Sequence, residues 1–154
     1  MPIEVLKGDL LEKIDEFNVI VHGCNCFCTM GAGIALQIKK KFPQAYMADL
    51  DTVAGDKSKL GTYTKAMHNQ TTIINAYTQY DTTNKVNVDY NAIREVFTKL
   101  NKHYSGSLVG IPKIGAGLAG GDWDKIYDII SEVTPDLYIK VIEYEPNSGT
   151  TSSI

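Results

Sequence analysis

Residues Val21 to Pro43, VHGCNCFCTMGAGIALQIKKKFP, put three cysteines, a histidine and a glycine pair into one short stretch. Three chemistries compete for it: a metal site, a reactive thiol, or a loop that holds a ligand through its backbone. In an extended chain His22, Cys24, Cys26 and Cys28 would share one face, a set that suits zinc. Structural zinc sites usually add a second ligand pair, yet His68 and His103 stand alone. A cysteine nucleophile for phosphate wants an arginine-bearing anion loop after it, whereas Cys28 is followed by TMGAG. The thiols therefore read as small, soft packing groups, and neither a metal nor a cofactor is expected.

A second stretch, SLVGIPKIGAGLAGGDWDKI, repeats the junction found in the first: a buried strand runs into a glycine-rich turn that opens a helix. Glycine lets the backbone take positive φ and lets a ligand reach the amides, and helix N-terminal amides favour a phosphate. Two such turns at strand ends on one sheet edge can hold the two phosphates of a pyrophosphate; tight helix–strand packing is the competing explanation. Gly115 to Gly120 fits G-x-G-x-x-G, but only one strand follows it, which argues against a hydride-transferring dinucleotide domain. Neither turn ends in Gly-Lys-Ser/Thr, so there is no P-loop.

The elements that must position these turns alternate along the chain. Ile3 to Leu6 is a short apolar run, and Asp9 precedes Glu12 by three residues, as at a helix start. Asn18 to Gly23 is rich in β-branched residues and reads as a buried strand. Ile34, Ile38 and Phe42 then recur every fourth residue until Pro43 stops the helix. Leu60 to Ala66 and Thr71 to Tyr77 read as adjoining strands around HNQ. Asp89 caps a long helix with Ile93, Val96, Phe97, Leu100 and Tyr104 on one face. Ser107 to Ile111 is the next strand, Trp123, Ile126, Tyr127 and Ile130 stripe the next helix, and Tyr138 to Tyr144 is a last strand. This alternation predicts a three-layer α/β/α sandwich with a mixed central sheet.

The chain's 154 residues suit one domain. With 44% hydrophobic residues, 21% charged residues and a net charge of −3, a broad nucleic-acid-binding face is not expected. The Lys39-Lys40-Lys41 triple reads as a solvated helix face. The start MPIEVLKGDL has no apolar core of a signal peptide, and no run is long enough to span a bilayer. A cytoplasmic protein with reduced thiols, no membrane partner and a monomeric state is expected. Asn147 to Ile154 reads as a polar tail after a domain over 1–146. Asp49 to Val53, DLDTV, spells the pattern of aspartyl-phosphate phosphatases, but it follows PQAYMA instead of a buried strand and reads as accidental.

Taken together, GDL near the start, VHGCNC…MGAGIA and IPKIGAGLAGGDW resemble the macro domain family over residues 1 to 146, and most nearly its branch that processes ADP-ribose 1″-phosphate. Members of that branch are also found in bacteriophages and bacteria. The resemblance implies an ADP-ribose-binding phosphatase that needs no metal. It makes Asp9, between Gly8 and Leu10, the acceptor for the adenine amino group, beside its capping role. It places Asn25, after Gly23, next to the distal ribose, where a turn asparagine bonding its own backbone is the alternative. Met30, Gly31, Ala32, Gly33 and Ile34 become the first phosphate loop, and Ile114, Gly115, Ala116, Gly117 and Leu118 the second. His22 and Asp122 become candidates for proton movement with Asn25 as third catalytic residue, although His22 also suits a core histidine and Asp122 a helix cap. Tyr144, with the tyrosines of NAYTQY, is a candidate wall for adenine or ribose. One hydrolase branch uses a lysine after the central strand; Thr78-Gln79-Tyr80 stands there and Lys85 does not fall at the matching place. Removal of ADP-ribose from a macromolecule, deacetylation of acetylated ADP-ribose and binding without turnover are the alternatives.

Overall fold

The structure is a computed structural model, and it describes residues 3–83 and 86–145. The polar tail over 147–154 and Lys85 lie outside the described residues. Six strands form one sheet: β1 (Ile3–Gly8), β2 (Val19–Cys24), β3 (Tyr63–His68), β4 (Thr71–Tyr77), β5 (Leu108–Ile111) and β6 (Tyr138–Tyr144). Their order is β1-β6-β5-β2-β4-β3, all neighbours pairing parallel except β3 with β4. Four helices cover it: α1 (Gly33–Lys41), α2 (Pro43–Leu50), α3 (Tyr90–His103) and α4 (Trp123–Val133). The predicted three-layer sandwich with a mixed sheet is the observed one.

Alternation along β2 divides the core. Val19 and Val21 face the α3–α4 layer, where Ile93, Val96, Phe97, Ile126 and Ile130 complete an apolar cluster. Ile20 and Cys24 face the α1–α2 layer with Ile38, Ala45 and Ile73. The spacing on α3 and α4 therefore does what it predicts: one apolar stripe on each helix is buried against the sheet.

Three boundaries differ from the expectations. Pro43 ends α1 and also opens α2, since its fixed φ suits the first turn of a helix. The strand expected from Leu60 starts at Tyr63, because Asp56 accepts from Ser58 N at 2.8 Å and caps a 3₁₀ turn, Lys57–Lys59, just before it. The helix expected after Asp9 is a turn followed by one 3₁₀ segment, Ile14–Glu16.

Candidate ligand-binding cleft

The turns that follow β2 and β5 face each other across one cleft of about 730 Å³ at the C-terminal edge of the parallel strands. That volume suits an extended small molecule. Gly23, Asn25, Met30, Gly31, Ala32, Gly33 and Ile34 line one wall, and Ile114, Gly115, Gly117 and Leu118 the other. Leu118 spans the gap, its methyl lying where a Cβ on Gly33 would come within 3.6 Å. A Cβ on Gly117 would meet nothing within 4 Å, so that backbone is open to a bound group.

Helix capping separates the two ends of the site. Asp89 caps α3 by accepting from Ala92 N, and Asp122 caps α4 by accepting from Asp124 N. No side chain among the described residues caps α1, whose N-terminus lies in the cleft with Ala32 and Gly33. Its first amides, like those of α2, therefore lack the side-chain partner that α3 and α4 have; in the cleft that arrangement suits an anion.

The first turn holds an unusual backbone. Cys28 and Met30, neither of them glycine, have φ of 60° and 41°. Such residues cost on the order of 1 kcal/mol or more each and persist only when their surroundings fix them. The fixing groups are visible. Buried Lys59 donates to the Cys26 carbonyl at 3.0 Å, and its Nζ lies 3.6 Å from Cys28 Sγ. The Cys28 thiol donates to Asp49 O at 3.2 Å, and Tyr46 Oη donates to Cys28 O at 3.1 Å. The Cys26 thiol donates to Gln79 O at 3.5 Å. The Cys26 and Cys28 thiols thus bind different carbonyls, and Cys24 Sγ lies 3.7 Å from His22 Nε2.

Beneath this turn runs a directed chain of buried hydrogen bonds. His22 Nε2 lies 2.7 Å from Asn75 Oδ1, and Asn75 Nδ2 donates to Ala45 O and to Thr64 Oγ1. Asn75 Oδ1 can only accept, so His22 carries its proton on Nε2. Thr64 Oγ1 stands 3.0 Å from Tyr77 Oη, which itself donates to Asp49 Oδ1 at 2.7 Å. Burial lowers the His22 pKa to about 4, partly opposed by the Asn75 bond, and the ring is neutral. Burial also raises the Asp49 carboxyl, and Asp49 Oδ2 has no hydrogen-bond partner among the described residues.

The structure redistributes the predicted site residues. His22 is 0% exposed, bonds to Asn75 on the α1–α2 side and is not among the residues that line the cleft. Its predicted proton-transfer role is corrected to a structural one. Asp122 is exposed, does not line the cleft, and its Oδ1 serves the α4 cap. The capping alternative describes it. Leu10 is buried among core residues, and Ala116 packs against the α3–α4 cluster instead of lining the cleft. Gly8, Asp9 and Tyr144 lie beyond the cleft lining, at the ends of β1 and β6 where Gly8 and Tyr144 are in register. Asp9 Oδ1 accepts from Leu11 N at 3.0 Å and Glu12 N at 3.4 Å, as a cap does. Asn25 lines the cleft, but its amide is engaged: Oδ1 accepts from Phe27 N at 2.8 Å and Nδ2 donates to Thr29 Oγ1 at 2.7 Å. Lys59, Asp49, Asn75 and Lys113 were missed as contributors. The three buried ones follow no local pattern, and only the position of Lys113 beside the second glycine turn was a usable signal.

Comparison with known proteins decides the family. The macro domain profile matches residues 21–130, more than half of the chain. The chain belongs to the macro domain family. An uncharacterised 17.5 kDa protein of Enterobacteria phage T4 is 36% identical over 95% of this chain and 99% of its own length. The ADP-ribose 1″-phosphate phosphatase of Meyerozyma guilliermondii is 40% identical, but over only 29% of this chain and 26% of its own. The ADP-ribose glycohydrolase OARD1 of Bos taurus is 27% identical over 92% and 90%. The solved macrodomain of Thermus aquaticus DarG superposes with a TM-score of 0.74 at 21% identity, covering 92% of this chain and 98% of that one, which supports the macro domain fold. No helix among the described residues is long and apolar enough to cross a membrane.

Proposed function

We propose that this macro domain binds ADP-ribose and hydrolyses ADP-ribose 1″-phosphate to ADP-ribose and phosphate. The observation that carries the reading is the pairing of two glycine turns across one cleft, beside an α1 N-terminus that no side chain among the described residues caps. The turns hold the diphosphate through backbone amides, which accounts for apolar side chains such as Met30, Ile34, Ile114 and Leu118 in an anion site. Binding of this unreactive portion fixes the distal ribose beside Asn25.

Phosphate-monoester hydrolysis suits such a cleft. Its transition state is loose and asks the protein mainly for positioning and charge stabilisation. Water oxygen bonds to phosphorus, the bond from phosphorus to the 1″ oxygen breaks, and a proton from water ends on the departing hemiacetal oxygen. Neither carboxylate nor imidazole lines the cleft among the described residues. The dianionic phosphate itself is a sufficient acceptor for the proton from water. Asn25, released from Thr29 and Phe27 N, orients the ribose hydroxyls through an amide that both donates and accepts. The phosphatase from Meyerozyma guilliermondii supports this chemistry over a short span.

Removal of ADP-ribose from a macromolecule is the second reading, favoured by the bovine glycohydrolase that aligns with nearly the whole chain. Purified protein mixed with ADP-ribose 1″-phosphate is expected to release phosphate, and Asn25→Ala to lower kcat/KM by about tenfold or more. Binding of ADP-ribose with no phosphate released above the Asn25→Ala level sinks the phosphatase reading. A panel of 1″-linked ADP-ribose conjugates then separates glycohydrolase action from binding alone.

A further inference from the structure

Across the sheet edge the strands succeed one another as β1, β6, β5, β2 and β4. The residues at their C-terminal ends follow the same order: Asp9, then Glu143, then Lys113 with the second glycine turn, then Asn25 with the first. With adenine at Asp9, as the family resemblance implies, and the diphosphate between the turns, the adenosine ribose crosses the β6–β5 junction, next to the cleft lining that includes Lys113 but not Glu143. That junction holds an ion pair. Lys113 Nζ lies 2.7 Å from Glu143 Oε2, with side chains 39% and 38% exposed. Among the described residues Lys113 is the only charged side chain lining the cleft.

The pair is too exposed for the fold to need it, since surface ion pairs contribute little to stability. Its chemistry matches a ribose. The hydrogen bond from Lys113 holds the Glu143 carboxyl below the usual range, so it stands ionised at neutral pH and can only accept. A 2′,3′-diol offers two hydroxyl donors to such an oxygen pair. A phosphate on the 2′ oxygen removes one donor and sets a dianion against a carboxylate.

We infer that Lys113 and Glu143 seat the adenosine ribose and select a free 2′,3′-diol over a 2′-phosphate. The inference rests on the ADP-ribose reading above. Glu143 is the discriminating group, because it accepts from the diol and repels the phosphate. Lys113 would itself attract the phosphate once the carboxylate is neutralised.

Calorimetric titration of the wild-type chain, Glu143→Gln and Lys113→Met with ADP-ribose and with its 2′-phosphate tests this. The wild type is expected to prefer ADP-ribose by about tenfold or more, Glu143→Gln to bring the two ligands to parity or reverse them, and Lys113→Met to widen the preference. An unchanged ratio in Glu143→Gln, or equal affinities in the wild type, overturns the inference and leaves the ADP-ribose reading standing. Failure of the wild type to bind ADP-ribose overturns that reading and this one with it. Both side chains are partly exposed, and unchanged melting temperatures confirm that the variants fold.

Discussion

The two turns that face each other across the cleft are built on opposite principles. The second is shaped by glycine: Gly115 and Gly120 have φ of 78° and 72°, and the layer beneath is the apolar α3–α4 cluster. The first places Cys28 and Met30 in the left-handed region and is held there by buried polar groups. One turn takes its shape from the residue's own freedom, the other from neighbours distant in sequence. Hence the polar chain from His22 to Asp49 lies on the α1–α2 side and has no counterpart among the described residues opposite. A scaffold that supports a strained turn needs directional bonds, and apolar packing supplies none.

Breaking the second turn should have the largest effect. A Cβ at Gly115 would lie 2.8 Å from Val88 Cγ2 and 3.0 Å from Ile126 Cδ1, at a φ that side chains avoid. Gly115→Val is expected to cost about 4 kcal/mol in denaturant unfolding and to abolish ADP-ribose binding in calorimetry.

The next effect concerns the scaffold under the first turn and is set by pH. Unfolded, His22 takes up a proton near its ordinary pKa of 6.5; folded, it does so only near 4. The unfolded state therefore holds more protons between these values, and stability falls as pH drops through that window. The loss is on the order of 3 kcal/mol across it. Asp49, raised by burial, works in the opposite sense. Urea midpoints for His22→Gln against the wild type isolate the imidazole: the variant's curve should be the flatter over this range.

Lys59→Met is the smallest of the three. It takes the donor from the Cys26 carbonyl while keeping most of the stem, and about 2 kcal/mol of stability should go with it. The sharper result is the relation between binding and stability. Affinity for ADP-ribose should fall severalfold in this variant even at temperatures where it is fully folded, because the strained turn relaxes. Unchanged affinity in Lys59→Met would mean that the turn keeps its shape without the ammonium.

The same contrast explains what could be read in advance. Glycine turns, helix stripes and aspartate caps are local, and Asp89, Ile93, Phe97 and Ile126 stand where their spacing puts them. The second turn was legible because its shape lies in its own residues. The support of the first was not. Asp49 reads in the sequence as part of an accidental motif and Lys59 belongs to no pattern there, yet each meets the turn from more than twenty positions away. The capping alternative for Asp122 and the core alternative for His22 could both be stated from sequence. Choosing them needed the exposure of one and the burial of the other.

The strand order also sets a timetable. The first strand of the chain pairs with the last, Ile3 against Ile139 through Gly8 against Tyr144. During synthesis β1 must therefore wait for almost everything else to emerge before it docks. The half of the groove built on β2 and β4 can form early, whereas the half beside Asp9 is finished last. A nascent chain stalled before β6 would carry both glycine turns without the edge that ends at Asp9.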